Sequence, residues 1–288
     1  MGTAILGAQT RVSPRPGGFG AELTGLDLTR PLPAGAAGMI LDALSTHGVL
    51  WFPDQPLTHP EFLAFAKALG PLGENPFLDG LDGYPDIVEV RRDPGETTVV
   101  FGGGWHSDWS FLPQPPSATL LHAKVTPPSG GDTLFADAGA AWEALSPAFR
   151  DRLAGLRVLH SAAAPYGSDG FFSKETGRTG MQIRFGEAGD GVHVHPLAPA
   201  PSGNQRPALF TNPGYAIGIE GFEPAESQAL LGFLHAHMLQ DRFVLRHAWR
   251  PDMLTIWDNR TVLHCATGGY DGSLRLMHRI VLAGDAPQ

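Results

Sequence analysis

The chain has 288 residues, of which 37 are glycine and 26 are proline, with 42% hydrophobic and 17% charged residues. This apolar share excludes an intrinsically disordered chain, and the frequent glycines and prolines exclude long uninterrupted helices. A net charge of −9 without a basic run argues against a nucleic-acid partner, and no apolar stretch is long enough to predict a membrane span. We therefore expect a folded, turn-rich chain with many short strands.

The N-terminal residues and the cysteine content bear on the cellular compartment. The chain begins Met1-Gly-Thr-Ala-Ile-Leu-Gly, which lacks the basic and apolar regions of a signal peptide. Cys265 is the single cysteine, so an internal disulfide cannot form. These features predict a cytoplasmic protein. The oligomeric state stays open, with a homo-oligomer among the options.

The N-terminal third alternates between short strands and helices. Thr58 and Glu61 have the spacing of a capping box, which predicts that a helix begins here and runs to about Leu69. The same patterns predict, in chain order, one or two strands in 11–32, a helix at 38–47, and strands at 48–53, 86–90, 118–125 and 132–136.

The C-terminal half contains a long segment, 161–191, that is rich in glycine and shows no periodicity. Loops of this length in compact domains are often functional, and we interpret this one as an active-site lid. No internal repeat or linker interrupts the chain, which predicts a single domain over 1–288. The other predicted elements are a helix at 138–153 interrupted at Ser146-Pro147, a helix at 224–239, and strands at 253–257, 261–264 and 274–282.

One His-x-Asp tripeptide has a setting that suits a metal. His106 and Asp108 follow three glycines and lie between aromatic residues, which lets the backbone approach a ligand and keeps water away. If this segment is an extended strand, the two side chains face the same side. The other such tripeptide begins at His59 and ends at Glu61, and the capping box already explains it.

A third ligand would complete the two-histidine, one-carboxylate set of non-haem iron oxygenases. His264 is the candidate because the strand that follows it is unusual. Alternation along 274–282 places Arg275 and Arg279 on one face of a mainly apolar strand, which is costly unless anions pair with them. The alternative is that both arginines lie on a solvated face.

Two other histidine pairs compete for a metal. His193 and His195 alternate and could bind zinc in a hydrolase, although Pro196 suggests the end of a strand. His235 and His237 lie on a predicted helix, where residues two apart diverge. Packed or surface histidines are the alternative in both cases. Three further histidines are expected to be ordinary sheet residues: His122, His160 and His247.

Several runs together resemble the taurine dioxygenase family of Fe(II)- and 2-oxoglutarate-dependent oxygenases, which includes chlorophenoxyacetate dioxygenases and alkylsulfatases. The similarity extends from about residue 18 to residue 284, and the spacing from His106 to Thr133 and from His264 to Arg275 matches the family. The motifs that carry it are Trp105-His106-Ser107-Asp108, Pro127-Pro128-Ser129-Gly130-Gly131-Asp132-Thr133-Leu134-Phe135, Trp257-Asp258-Asn259-Arg260, His264, Arg275 and Met277-His278-Arg279.

The resemblance implies a mainly β fold with flanking helices around a double-stranded β-helix (jelly-roll, cupin-like) core. It implies that Fe(II) is bound by His106, Asp108 and His264, with 2-oxoglutarate and O2 as co-substrates. It places the distal carboxylate of 2-oxoglutarate on Arg275 and Thr133. An anionic group of the substrate would bind Arg279.

Three positions depart from the taurine enzyme. Gly102 replaces an asparagine four residues before the first iron ligand, and Asn75 and Leu78 replace a histidine and a tyrosine. The expected enzyme therefore hydroxylates or oxidatively cleaves a small anionic sulfonate, sulfate ester or carboxylate, larger and more apolar than taurine, giving succinate and CO2. A taurine dioxygenase is the alternative. The remote alternatives are the zinc hydrolase on His193 and His195 and a non-catalytic jelly-roll binding protein.

Overall fold

The computed structural model of the protein describes residues 10–200 and 206–288. Strands and helices alternate through both ranges. The strands are β1 (Arg11–Pro14), β2 (Ala21–Thr24), β3 (Val49–Phe52), β4 (Gly80–Leu81), β5 (Tyr84–Arg92), β6 (Ala118–Val125), β7 (Thr133–Asp137), β8 (Arg157–Ser161), β9 (Val192–Pro196), β10 (Ala216–Ile219), β11 (Val244–His247), β12 (Leu254–Asp258), β13 (Val262–Ala266) and β14 (Arg275–Leu282). The helices are α1 (Ala36–His47), α2 (His59–Leu69), α3 (Ala138–Glu143), α4 (Pro147–Leu153), α5 (Ala163–Tyr166), α6 (Phe171–Lys174) and α7 (Pro224–Met238).

The local signals in the sequence place most of these elements correctly. The backbone N–H of Thr58 donates to Glu61 Oε2 at 2.7 Å, which confirms the capping box that begins α2. The interruption at Ser146-Pro147 is also confirmed, because Ser146 caps α4 after α3 has ended. No helix within the two described ranges is long and apolar enough to cross a membrane.

Three sheets make up the β-rich core. The largest has eight strands in the order β1-β2-β3-β12-β6-β14-β5-β4, and only the pairing of β2 with β3 is parallel. A second sheet has the order β11-β7-β13, and a third has the order β10-β8-β9. The protein is therefore mainly β with flanking helices, as predicted.

Alternation along the strands divides the core into layers. One face of the large sheet packs against α1 and α2 through Leu50, Leu120, Ile256 and Ile280. Residues of the same strands that point the other way (Val49, Leu121, Ala123, Trp257 and Met277) pack against Phe135, Leu245 and Val262 of the β11-β7-β13 sheet. Residues on the inner faces of these two sheets are thus brought together across the core.

The expectation that His106 and Asp108 lie on an extended strand is wrong. His106 forms only an isolated bridge with His264, and Asp108 lies in the turn that follows. The backbone φ of Trp109 is 47°, a left-handed conformation within this turn. The two ligand candidates are brought together by this turn, which pattern reasoning from alternation does not reveal.

Candidate metal centre

The three candidate ligands meet at one point between the two facing sheets. Their ligand atoms all lie within 4.8 Å of one another. The Nε2 atoms of His106 and His264 are 3.6 and 3.8 Å from Oδ1 of Asp108. Across residues 10–200 and 206–288, no other group of three or more such side chains converges in this way.

A backbone bridge brings the two histidines together. The N–H of His106 donates to the carbonyl of His264 at 3.0 Å, and the reverse bond is 2.8 Å long. His264 lies on the inner face of β13, and its ring packs against Trp257 with ring centroids 4.7 Å apart. The position of each imidazole is therefore fixed by main-chain pairing and by packing.

Hydrogen bonds orient the side chains of Asp108 and His106. Thr119 Oγ1 donates to Asp108 Oδ2 at 2.6 Å, which turns Oδ1 towards the histidines. Asn259 Nδ2 donates to the same hydroxyl at 2.9 Å, so Thr119 Oγ1 is left to donate to the carboxylate. His106 Nδ1 lies 2.7 Å from the carbonyl of Gly104, and an N–H at Nδ1 leaves the lone pair of Nε2 free for a metal.

The electrostatics of the site suit a cation. Burial would raise the pKa of Asp108, but Arg279, whose Nη2 lies 2.9 Å from Oδ1, and the two histidines hold that pKa well below its usual range. Burial, and then the neighbouring His106, lower the pKa of His264 to about 3. The site thus offers an ionised carboxylate and a neutral imidazole, which are the forms that bind metals, and the donor set fits Fe(II).

Thr133 and Arg275 line a narrow cavity next to these ligands. The same cavity is bordered by all three ligand candidates and by Gly102. Arg275 is 5% exposed and donates from Nε to the carbonyl of Gly131 at 3.3 Å. Trp249 Nε1 donates to Thr133 Oγ1 at 3.0 Å, a contact that sequence reasoning missed.

Arg279 is also buried, so the alternative of two arginines on a solvated face is wrong. Its Nη1 donates to Asn75 Oδ1 at 2.8 Å. Its guanidinium carbon lies 4.9 Å from the centre of the Trp109 ring. Asn75 therefore contacts the arginine that is expected to bind the substrate anion.

A larger cavity of about 350 Å³ adjoins the narrow one. It shares Phe101, Gly102, His106, Asp108 and Arg279 with the narrow cavity. Much of the remaining lining is apolar or aromatic and includes Val99, Val100, Ala164, Pro165, Tyr166, Phe171, Phe172 and Tyr215.

Leu78 is not among the residues that line either cavity. It is 2% exposed and packs in a cluster with Phe77, Trp109 and Tyr166. Its backbone also bridges to Ile183. Of the three positions that depart from the taurine enzyme, Gly102 borders both cavities and Asn75 contacts Arg279, whereas Leu78 lies in the supporting core.

The competing histidines do not form a second metal centre within the described residues. His195 Nε2 lies 2.9 Å from the carbonyl of Leu112, and His193 pairs in register with His160 on β8. His235 and His237 contact Thr211 and the carbonyl of Ala141, respectively. Three buried histidines lie on strands, as predicted: His122, His160 and His247.

Comparison with known proteins agrees with this geometry. An alpha-ketoglutarate-dependent sulfate ester dioxygenase from Pseudomonas putida is 29% identical over 294 residues, covering 100% of this chain and 94% of that protein. An alpha-ketoglutarate-dependent 2,4-dichlorophenoxyacetate dioxygenase from Cupriavidus pinatubonensis is 34% identical over 261 residues, covering 85% and 88%. The crystal structure of a taurine dioxygenase from Burkholderia xenovorans matches with a TM-score of 0.79 at 29% identity, covering 96% of this chain and 90% of that chain. The model of the family described as taurine catabolism dioxygenase TauD, TfdA family matches residues 11–281, and the chain belongs to this family.

Proposed function

We propose that this chain is an Fe(II)- and 2-oxoglutarate-dependent dioxygenase that hydroxylates or oxidatively cleaves a small anionic organic substrate. The substrate is a sulfonate, a sulfate ester or a carboxylate, and the co-substrate products are succinate and CO2. One observation carries the proposal: three converging candidate metal ligands border a narrow cavity that contains Arg275, and this cavity adjoins a larger one that Arg279 also lines.

The side chains around the narrow cavity hold the cofactor and the co-substrate. Bound Fe(II), together with 2-oxoglutarate and O2, supplies the oxidising chemistry. His106, Asp108 and His264 hold the metal, while Arg275 and Thr133 receive the distal carboxylate of 2-oxoglutarate. Burial lowers the pKa of Arg275 from a very high ordinary value, and a carboxylate is the partner that offsets the cost of its buried charge.

The larger cavity favours an anion with an apolar body. Arg279 is the one arginine in its lining, and Asp108, a proposed metal ligand, is the one carboxylate. The ammonium group of taurine would therefore lack an acidic partner, which argues against the taurine alternative. The named substrates of the relatives, a sulfate ester and dichlorophenoxyacetate, both combine an anionic group with an organic body.

The finer architecture is part of the same proposal. The packing of the β11-β7-β13 sheet against the large sheet supports a double-stranded β-helix core within a single domain. Segment 161–191 acts as the lid, because Tyr166, Phe171 and Phe172 of this segment line the larger cavity.

The test is anaerobic loading of the full chain with Fe(II), followed by a succinate-release screen in air. The screen covers 2,4-dichlorophenoxyacetate, hexyl sulfate, hexanesulfonate and taurine, each with 2-oxoglutarate. We expect substrate-dependent succinate with at least one of the larger anions and little with taurine. Robust taurine turnover with sulfite release would overturn the substrate assignment. Zinc-dependent hydrolysis that ignores 2-oxoglutarate and O2 would overturn the reaction class.

A further inference from the structure

Glu96 is a buried carboxylate that lies outside the metal centre. It follows β5 and is 3% exposed. Its Oε1 accepts hydrogen bonds from the backbone N–H groups of Asp93 at 3.2 Å, Thr179 at 3.2 Å and Gly180 at 2.5 Å. Two of these donors belong to segment 161–191, more than eighty residues further along the chain. One carboxylate therefore joins two distant loops.

The neighbouring contacts show that the two loops fit closely. Thr179 Oγ1 donates to Asp93 Oδ2 at 2.9 Å, next to the backbone bonds. A Cβ at Gly180 would lie 2.6 Å from the carbonyl oxygen of Arg91 and 2.7 Å from Glu96 Oε1, so only glycine allows this approach. Burial would raise the pKa of Glu96, but the backbone donors hold it below its usual value. The carboxylate is thus ionised at neutral pH and can accept all of these bonds.

Arg178 links this junction to the wall of the larger cavity. Its guanidinium donates to both carboxylate oxygens of Glu175, at 2.6 and 2.9 Å, and to the carbonyl of Val99 at 3.0 Å. The same guanidinium lies 5.7 Å from the ring centre of Phe172, which lines the cavity. The Phe172 ring is also 6.0 Å from that of Phe101, across the cavity wall. Contiguous contacts therefore connect the junction with the wall of the larger cavity.

We propose that Glu96 is a positioning residue that latches segment 161–191 over the larger cavity and thereby sets the affinity for the organic substrate. The latch acts through Thr179, Gly180 and Arg178 on the aromatic wall, and Glu96 itself does not contact the metal ligands. Its effect on substrate affinity rests on the proposed function, whereas the latch itself does not.

Amide hydrogen exchange on the full chain tests the latch without any substrate. The test variant is Glu96→Gln, which keeps the size of the side chain but replaces one acceptor oxygen and the charge. The matched control is Glu61→Gln, because Glu61 also accepts a backbone N–H but caps α2 instead of contacting segment 161–191. We expect exchange at Thr179 and Gly180 to accelerate by about tenfold or more in Glu96→Gln, and to stay unchanged in the control. Equal exchange in both variants would overturn the latch.

Gly180→Ala is a second variant that should separate the two loops. Its added Cβ meets Glu96 Oε1 and the carbonyl of Arg91, so it separates the loops without altering the carboxylate. We expect the same faster exchange at Thr179, whose N–H donates to Glu96. If either variant fails to fold, the other decides the question, and protected amides in a folded Gly180→Ala protein would count against the proposal.

Steady-state kinetics distinguish a latch from a merely stabilising contact. With 2,4-dichlorophenoxyacetate and hexyl sulfate as probes, we expect Glu96→Gln to raise the substrate KM by about fivefold or more and to change the 2-oxoglutarate KM by less than about twofold. Equal effects on both constants would overturn the assignment to substrate affinity. If none of the screened compounds causes the unmodified chain to release succinate, the proposed function fails. The hydrogen-exchange data still decide whether the latch exists.

Discussion

The hydroxyl of Thr119 lies 2.6 Å from Oδ2 of Asp108, one of the three residues of the proposed iron site. Both residues are buried, and Thr119 is on the inner face of β6, on the strand next to β14. This bond aims the other carboxylate oxygen at the two histidines. The orientation of a candidate metal ligand therefore depends on a residue that no metal-binding motif in the sequence includes.

Removing this hydroxyl should weaken metal binding. We expect Thr119→Val to lower the affinity for Fe(II) by about tenfold to a hundredfold, because the Asp108 carboxylate loses the hydrogen bond that orients it. Anaerobic metal titration of the full chain measures the effect. Thr119→Ser should restore most of the affinity, whereas Thr255→Val, which removes a buried hydroxyl that contacts His247 instead, should leave it unchanged. Equal affinities of Thr119→Val and the unmodified chain would contradict the proposed orientation.

Trp249 should affect the co-substrate alone. Trp249→Phe removes the N–H that donates to Thr133 Oγ1, and we expect the 2-oxoglutarate KM to rise by about twofold to tenfold, the equivalent of a lost neutral hydrogen bond of about 0.5–1.5 kcal/mol. Succinate release at saturating organic substrate measures the change. Trp51→Phe, which removes a similar bond to Glu22 away from both cavities, serves as the control and should have no effect. An equal rise of the 2-oxoglutarate KM in both variants would contradict the role of Trp249.

Asn75 should act on the substrate anion through Arg279. Asn75→Leu removes the oxygen that lies 2.8 Å from Arg279 Nη1, so the guanidinium keeps its contacts with Asp108 and Trp109 but loses this hydrogen bond. We expect the KM for an anionic substrate to rise by about tenfold, because hydrogen bonds to charged groups contribute about 1.5–3 kcal/mol. The 2-oxoglutarate KM should hardly change. A change confined to 2-oxoglutarate would show that Asn75 serves the other cavity.

Buried histidines should make the protein sensitive to mild acid. Burial lowers the pKa of His122 and His247 to about 4 and that of His160 to about 3, against 6.5 for exposed histidine. Between these values the unfolded chain binds protons that the folded chain does not, so stability is present above about pH 6.5 and is lost as pH falls towards 4.

The free energy of unfolding, measured by denaturant titration from pH 7 to pH 4.5, should therefore decrease. Each such histidine contributes a slope of up to about 1.4 kcal/mol per pH unit. His122→Gln should flatten the dependence, because its side chain can still donate to the carbonyl of Gln55 but no longer titrates. An unfolding free energy that rises towards pH 4.5 would contradict the burial of neutral histidines.

Local chemistry determined much of this protein from the sequence alone. Capping and alternation placed α2, β6 and β14, because those signals act over a few residues. They also placed Arg275 and Arg279 on one face of β14. Alternation failed at His106 and Asp108, where the left-handed conformation of Trp109 replaces the expected strand.

Tertiary structure decided everything that depends on residues far apart in the chain. The bridge between His106 and His264, the hydroxyl of Thr119 on Asp108 and the junction at Glu96 each join segments that no local pattern connects. A hydrogen bond between distant segments forms only when the packing of whole sheets and loops brings its donor and acceptor together. For that reason the sequence could name the candidate ligands of the metal, but only the folded chain shows which groups orient them and which carboxylate joins two distant loops.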